Sequence, residues 1–424
     1  MIICVIGGGN IGTTLSAELA YLNPEKSVRL LTSKPDSFNK TLEVIDVEQA
    51  TSFFGTLDVI SDDPGKVVAD ADVIFITTPS FLIEGTLQKI KDYVKADAFV
   101  GVIPGSGGCE FYWKQHFDES CTLFGFERVP YITRLAAYGK SVYLKSRKPH
   151  VTLASLPMNR LDTVCDVVSD ICHVKCMKAA NYLTITLTPS NPVLHTSRIY
   201  DLFCDASLES RFSKNIEFYS EWTDHASEIM LGIDSELQEM CKVLSGMDMH
   251  GVVSLKIHYE SPTVPDLTRK IRSIPSFRGI YAPFIPVSSG EFAIDANARF
   301  FTEDFPYGLC IIKGFCEICE IDTPYIDNVL QWYQEFAKVE YYTKDGFTGK
   351  DLVNTAIPQN FGINSLEDIY DFYADKADAP PQKLIQVSNF LNSVRKFVEL
   401  PSINEIEYRH FYNGFHLIAE VTAT

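Results

Sequence analysis

The chain has 424 residues and a formal net charge of −18, more sequence than one compact core accommodates, so two domains of roughly 150 to 250 residues each are expected. That charge, with no run of Lys and Arg to relieve it, argues against nucleic acid as a partner. No apolar stretch reaches the roughly 18 to 20 residues that cross a bilayer, no cleavable leader precedes the first strand, and the 11 cysteines are odd in number and irregular in spacing. A cytoplasmic protein with reduced thiols and no membrane partner is therefore expected.

Ile2-Ile3-Cys4-Val5-Ile6 reads as a short buried strand and runs directly into Gly7-Gly8-Gly9-Asn10-Ile11-Gly12, with a helical pattern from Thr13 to about Tyr21. In that setting G-x-G-x-x-G is a dinucleotide-binding fingerprint. Gly7 permits the tight turn, Gly9 lets backbone approach the pyrophosphate, Gly12 lets helix and strand pack closely, and the helix N-terminus at Asn10 and Ile11 stabilises the phosphate charge. The second strand, residues 27–31, ends in Thr32-Ser33-Lys34-Pro35, where a carboxylate would bind the ribose 2′-hydroxyl of NAD. None stands there, and Asp36 lies too far along. Two hydroxyls and an ammonium suit a 2′-phosphate, so NADP(H) is favoured and NAD(H) is kept open.

Residues 71–76 form another buried strand, ending at Thr77-Thr78-Pro79-Ser80, where Thr78 and Pro79 fall at the carboxyl edge that holds cofactor in open α/β sheets. Residues 98–103 follow and lead into Pro104-Gly105-Ser106-Gly107-Gly108, beside the nicotinamide half. Residues 141–144 and 150–156 are expected to complete the sheet, with a helix over 159–171 covering it. The first domain is thus expected to span 1–185, an α/β Rossmann domain with a parallel-rich sheet.

Asn191-Pro192-Val193-Leu194-His195 reads as a helix start: Asn191 as cap, Pro192 at the first helical position and His195 in the opening turn. The helix dipole disfavours a protonated imidazole there, and a nearby carboxylate would offset it. Ala226, Ile229, Met230, Ile233, Leu237, Met240, Cys241 and Leu244 repeat at helical spacing and form a core stripe. After a connection at 279–290, helical patterns resume at 293–301 and 306–320, so 186–375 is expected to be helical, with the active site in the cleft between it and the sheet. Arg299, Glu303 and Asp304 surround a helix break before Pro306 and Gly308, and a planar guanidinium suits a substrate carboxylate. Cys316 with Cys319 and Cys172 with Cys176 lack a second pair at zinc spacing and lie in apolar, helical-looking segments, so no metal is assigned.

The Asn-Pro-x-x-His stretch at 191–195 and the Arg299/Asp304 pair make the chain resemble the opine dehydrogenases of octopine/nopaline dehydrogenase type. Phe218-Tyr219-Ser220-Glu221, the segment 303–309, Gly349-Lys350-Asp351-Leu352 and the segment 358–363 extend the resemblance over roughly residues 1 to 370. It implies a Rossmann domain followed by an all-helical domain like that of 6-phosphogluconate dehydrogenase. It also implies reversible NAD(P)H-dependent condensation of a 2-oxo acid with the amino group of an amino acid. By that likeness His195 is the acid/base, Asp304 its charge partner, Arg299 the ligand of the substrate carboxylate, and Asn191 a further substrate contact. Arg134, Tyr200 and Trp222 are candidates for the amino-acid pocket by chemical type alone. The alternatives are a 2-oxo acid reductase of ketopantoate or hydroxyacid type, for which Lys313 or Lys350 would serve as acid/base, and a non-catalytic NADP(H)-binding sensor. Residues 376–424 read as a linker and an extra helix. Its apolar stripe, Leu384 to Phe397, either caps the helical domain, the favoured reading, or pairs subunits as a homodimer.

Overall fold

β1 (Ile2–Ile6) is apolar along its length because both of its faces are covered. Ile3 and Val5 enter one hydrophobic cluster, and Cys4 and Ile6 enter another. The strands that follow are β2 (Ser27–Leu31), β3 (Thr41–Asp46), β4 (Thr51–Thr56), β5 (Val59–Ser61), β6 (Val73–Ile76), β7 (Phe99–Val102), β8 (Thr122–Phe126), β9 (Tyr131–Ala137), β10 (Ser141–Arg147), β11 (His150–Leu156) and β12 (Lys175–Lys178). Eight of them form one sheet in the order β12-β11-β8-β7-β6-β1-β2-β5. Pairing is parallel from β5 through β8, and β11 runs antiparallel to β8. The computed structural model describes residues 1–287 and 290–374; the linker and apolar stripe expected within 376–424 lie outside them.

The segment 141–144 does not complete that sheet. It belongs to β10, which pairs with β3 and β9 in a separate four-stranded sheet of order β4-β3-β10-β9. The physical reason is burial on one face only. β3 buries Leu42, Val44 and Asp46 in alternation, and β10 buries Val142 and Leu144, the period of a half-covered sheet. That sheet packs on the helix Asn10–Leu22, which starts three residues earlier than the sequence pattern marks it.

Beyond the sheet the chain is mostly helical, with its longest elements at Asn191–Phe203, Asp224–Val243, Val264–Ser273 and Pro324–Ala337. Thr223 caps the second of these by accepting from the Ala226 N–H at 3.0 Å. Ala226, Ile229, Met230, Ile233, Leu237 and Met240 are all buried, as the 3.6-residue spacing requires. The helix expected over 293–301 is not formed: β13 (Phe284–Pro286) and β14 (Phe292–Ile294) make a hairpin there, and helix is confined to Arg299–Thr302. A single π-type turn, Phe305–Leu309, follows, and only then the helix Cys310–Ile318. Cys176 lies in β12, not in a helix, and among the described residues no three His, Cys, Asp or Glu side chains gather to hold a metal. No described helix is long and apolar enough to cross a membrane.

Candidate active site

Gly12 lies so close to the first turn that a Cβ there would stand 1.8 Å from the Gly7 carbonyl oxygen. A Cβ on Gly9 would meet nothing within 4 Å, so the loop is open to an approaching group at that point. The helix Asn10–Leu22 begins there without a side-chain cap, leaving its first amides without intrahelical acceptors. The buried Thr78 hydroxyl, beside Gly7, has no hydrogen-bond partner. An open glycine, uncapped amides and an orphaned hydroxyl together fit a dinucleotide pyrophosphate. The Asn10 side-chain oxygen is committed elsewhere: Oδ1 accepts from the Leu135 N–H at 2.8 Å, so its backbone and its side-chain NH2 are what it offers a cofactor.

At the adenosine end, Thr32 is buried and its Oγ1 would stand 3.0 Å from a Cβ on Gly8. Ser33 and Lys34 are exposed, and the Lys34 ammonium lies 5.9 Å from the centre of the Tyr138 ring. Phe38 meets Tyr138 edge-on at 5.2 Å and closes over Gly8. Both aromatics went unassigned in the sequence. Pro79 caps the short turn Ser80–Leu82.

The helix Asn191–Phe203 starts one residue earlier than its sequence suggests. Ser190 is its cap residue, Asn191 is already helical and exposed, and His195 is the fifth residue rather than part of the opening turn. The Ser190 hydroxyl makes no capping bond; it accepts from Arg128 Nη1 at 3.2 Å. His195 has one partner on each ring nitrogen. Nδ1 meets Asp304 Oδ2 at 2.8 Å, and Nε2 meets the Tyr219 hydroxyl at 2.9 Å. A carboxylate only accepts, so the neutral ring carries its proton on Nδ1 and takes the Tyr219 hydroxyl proton on Nε2. Burial, then Tyr259 and Asp304, push the Tyr219 phenol above its ordinary range, with the Arg134 guanidinium opposing them; it remains a donor at neutral pH. Phe300, edge-on at 4.8 Å, and Phe218, at 5.8 Å, grip the imidazole.

Two contacts bring these partners to His195. Gly308 lies against Pro192: a Cβ there would stand 2.7 Å from the proline Cβ, so the π-type turn seats on the start of the histidine helix and presents Asp304 to the ring. Arg198, one turn after His195 and buried, donates from Nε to the Phe218 carbonyl at 2.9 Å and from Nη2 to the Glu221 carbonyl at 2.8 Å, which fixes Tyr219. Tyr219 lies within a segment already singled out by the family likeness, but without a role; nothing in the local sequence marks it as a partner of His195.

Arg299 does not stand free. It pairs with Glu303, whose Oε1 also accepts from the Ser80 N–H at 2.8 Å and the Ser80 hydroxyl at 3.0 Å, joining the helical part to the carboxyl edge of the sheet. Trp222 is fully buried and donates its indole N–H to Ser227 at 2.9 Å, and Tyr200 packs between His225 and Trp332 and accepts from Asn328 at 2.8 Å. The Trp222 indole N–H is thus committed, whereas the Tyr200 hydroxyl keeps its own proton to donate. Lys313 is buried against Glu317 at 2.5 Å, Asp327 at 2.7 Å and Thr323 at 2.6 Å. Burial works against its charge, but the Asp327 and Glu317 bonds outweigh it and hold the ammonium above its ordinary range, which unfits it as an acid/base at neutral pH. Lys350 is an exposed partner of Glu340 at 3.3 Å.

Residues 178–337 match the family described as the alpha-helical domain of NAD/NADP octopine/nopaline dehydrogenase, and residues 2–106 match the N-terminus of NAD-dependent glycerol-3-phosphate dehydrogenase. An opine dehydrogenase of Haliotis discus hannai is 28% identical over 400 residues, which covers 86% of this chain and 97% of that one. A tauropine dehydrogenase of Arabella iricolor is 25% identical over 400 residues, covering 87% of this chain and all of its own length. A solved octopine dehydrogenase with NADH and L-arginine has the same fold, with a TM-score of 0.76 at 24% identity over 87% of this chain and 97% of that one.

Proposed function

The chain belongs to the opine dehydrogenase family, and on that premise we propose that it catalyses the reversible, NAD(P)H-dependent reductive condensation of a 2-oxo acid with the amino group of an amino acid. The product is an N-(carboxyalkyl)amino acid. Residues 1–185 bind the dinucleotide, and residues 186–375 bring the acid/base and the substrate contacts. The bound nicotinamide supplies the hydride. In its doubly protonated form His195 gives the Nε2 proton as the substrate is reduced, once the Tyr219 hydroxyl cedes that nitrogen, and takes it back in the reverse direction; Asp304 holds the ring's orientation and offsets its positive charge. Arg299 binds the keto acid carboxylate once Glu303 yields it, and Asn191, at the helix start, is a further substrate contact. NADP(H) is the favoured cofactor because Thr32, Ser33 and Lys34 offer hydroxyls and an ammonium where NAD would want a carboxylate.

The observation that carries this reading is the 2.8 Å contact between His195 and Asp304, residues 109 positions apart in sequence. The reductase alternative loses Lys313, which is locked in its ion pairs, and is left with Lys350, an exposed partner of Glu340. A matrix of amino acids against pyruvate, oxaloacetate and 2-oxoglutarate, followed by nicotinamide absorbance with NADPH and with NADH, tests it. Oxidation that requires both substrates is the expected result; equal oxidation by the oxo acid alone would make the protein a simple reductase.

A further inference from the structure

Glu303 and Asp304 are neighbours in sequence, but their carboxylates have different partners. Asp304 meets His195 at 2.8 Å. Glu303 is held by two residues from different parts of the molecule. Its Oε2 takes the Arg299 guanidinium through Nε and Nη2, each at 2.5 Å, and its Oε1 accepts from the Ser80 N–H at 2.8 Å and the Ser80 hydroxyl at 3.0 Å. Four donors converge on one carboxylate, a guanidinium on the first oxygen and an N–H with an O–H on the second. That is a complete carboxylate-binding site, filled by a side chain of the protein itself.

Both halves of that site are mounted without help from the Glu303 carboxylate. Ser80 follows Pro79 in the turn after β6, and Gly107 lies so close that a Cβ there would stand 2.4 Å from Ser80 Oγ. Arg299 opens the helix Arg299–Thr302, and backbone bonds set the turn beyond it. The Glu303 N–H donates to the Arg299 carbonyl at 2.9 Å, and the Tyr307 N–H donates to the Glu303 carbonyl at 2.9 Å. The Arg299 side chain is 66% exposed, so the guanidinium can be reached from solvent, whereas that of Glu303 is 14% exposed. One guanidinium neutralises one carboxylate, and in a chain of charge −18 a second anion at the same fork is repelled. A free carboxylate and Glu303 therefore exclude each other.

We propose that Glu303 is a built-in competitor of the oxo acid, its carboxylate occupying the place of the substrate carboxylate, and that Ser80 is the second half of that place. This rests on the function proposed above and adds a substrate-binding residue from the sheet edge and an internal brake on the site. Binding of an oxo acid exchanges one carboxylate for another, so the four donors stay satisfied and the substrate takes over the bridge between the sheet edge and the helical part. Asp304, next in sequence, keeps His195 beside that bridge. Occupation by Glu303 lowers the apparent affinity for free carboxylates by the fraction of molecules in which the site stands open. A tie that served only to join the two parts would weaken binding when cut; a competitor strengthens binding when removed.

The test is calorimetric titration of the NADPH-loaded enzyme with oxamate, a 2-oxo acid analogue, and with acetate as a bare carboxylate. Glu303→Ala should bind both at least roughly fivefold more tightly than wild type. Glu303→Gln, which keeps an acceptor for Ser80 and removes only the charge, should move affinity in the same direction by less. Ser80→Ala added to Glu303→Ala should give back roughly twofold or more of the gain. Unchanged or weaker binding by both Glu303 variants overturns the proposal, as does a gain that survives Ser80→Ala undiminished. Absence of binding by either anion to every protein also overturns it. A gain in acetate affinity without NADPH oxidation by any pair of oxo acid and amino acid would sink the proposed reaction and leave this assignment standing; coupled oxidation without the gain would do the reverse.

Discussion

His195 is satisfied on both nitrogens, by a carboxylate on one side and a phenol on the other, and its proposed acid/base role rests on the carboxylate. His195→Gln should lower kcat by roughly 10²–10⁴-fold while leaving NADPH binding within a factor of about two, since no cofactor contact is assigned to it; unchanged turnover would remove the assignment. On the proposed reading Lys34→Ala removes a charge-assisted hydrogen bond to a 2′-phosphate, about 1.5–3 kcal/mol, so the NADPH dissociation constant should rise roughly tenfold to 100-fold and that for NADH should barely move. Equal losses for the two cofactors would mean that Lys34 does not read the 2′-position. The histidine, its aspartate and the glycine loop were legible because each belongs to a short motif. Tyr219 and Glu303 were not assigned roles, because their partners, His195 and Ser80, stand 24 and 223 residues away in sequence.

At the level of elements, the site depends on two surfaces meeting at Pro192 and Gly308. The break after Asp304 is forced by Pro306 and Gly308, and the Leu309 N–H reaches back five residues to the Asp304 carbonyl at 2.8 Å, a π-type turn of the kind often found at functional sites. Gly308→Ala would drive a methyl into the Pro192 ring at about 1–3 kcal/mol of overpacking and move Asp304 from the imidazole. We expect a lower Tm together with a fall in kcat larger than the change in either KM; a drop in Tm alone would show that the turn tolerates the shift without moving the carboxylate. The helix expected at 293–301 became a hairpin and a single turn because short apolar runs do not declare their period. β3 shows the alternation of a half-buried strand, with Leu42 and Val44 covered and their neighbours outward, a period-2 pattern too short to stand out beside the fully apolar strands of the main sheet.

Over the whole molecule, one face of the sheet and the helical part share a continuous core, in which Ile6, Ile74, Ile76 and Val102 meet the same cluster as Leu183, Val193 and Phe203. Glu110 lies within this region, fully buried, with Oε1 accepting from Thr186 at 2.5 Å and Tyr373 at 2.9 Å. Burial raises its carboxyl from 4.5 to about 7, against the pull of the Thr186 and Tyr373 hydroxyls. The folded state therefore holds this proton more tightly than the unfolded chain does. That contribution is complete below about pH 4.5 and is lost as pH rises through about 7, some 3 kcal/mol in all. Denaturant unfolding should show stability falling across that window, and Glu110→Gln should flatten the fall and be the more stable protein at pH 8; a parallel slope in both proteins would place the titrating group elsewhere. By itself the sequence determined the nucleotide-binding turn, the buried strands, the core stripe of Asp224–Val243 and the identity of the histidine, because each is a local pattern set by backbone geometry or by burial on one face. Only the tertiary structure decided which side chains meet that histidine, that Arg299 is held by Glu303 and that β10 leaves the main sheet. Contacts between segments far apart along the chain arise from packing surfaces against one another, and no short window of residues contains both surfaces.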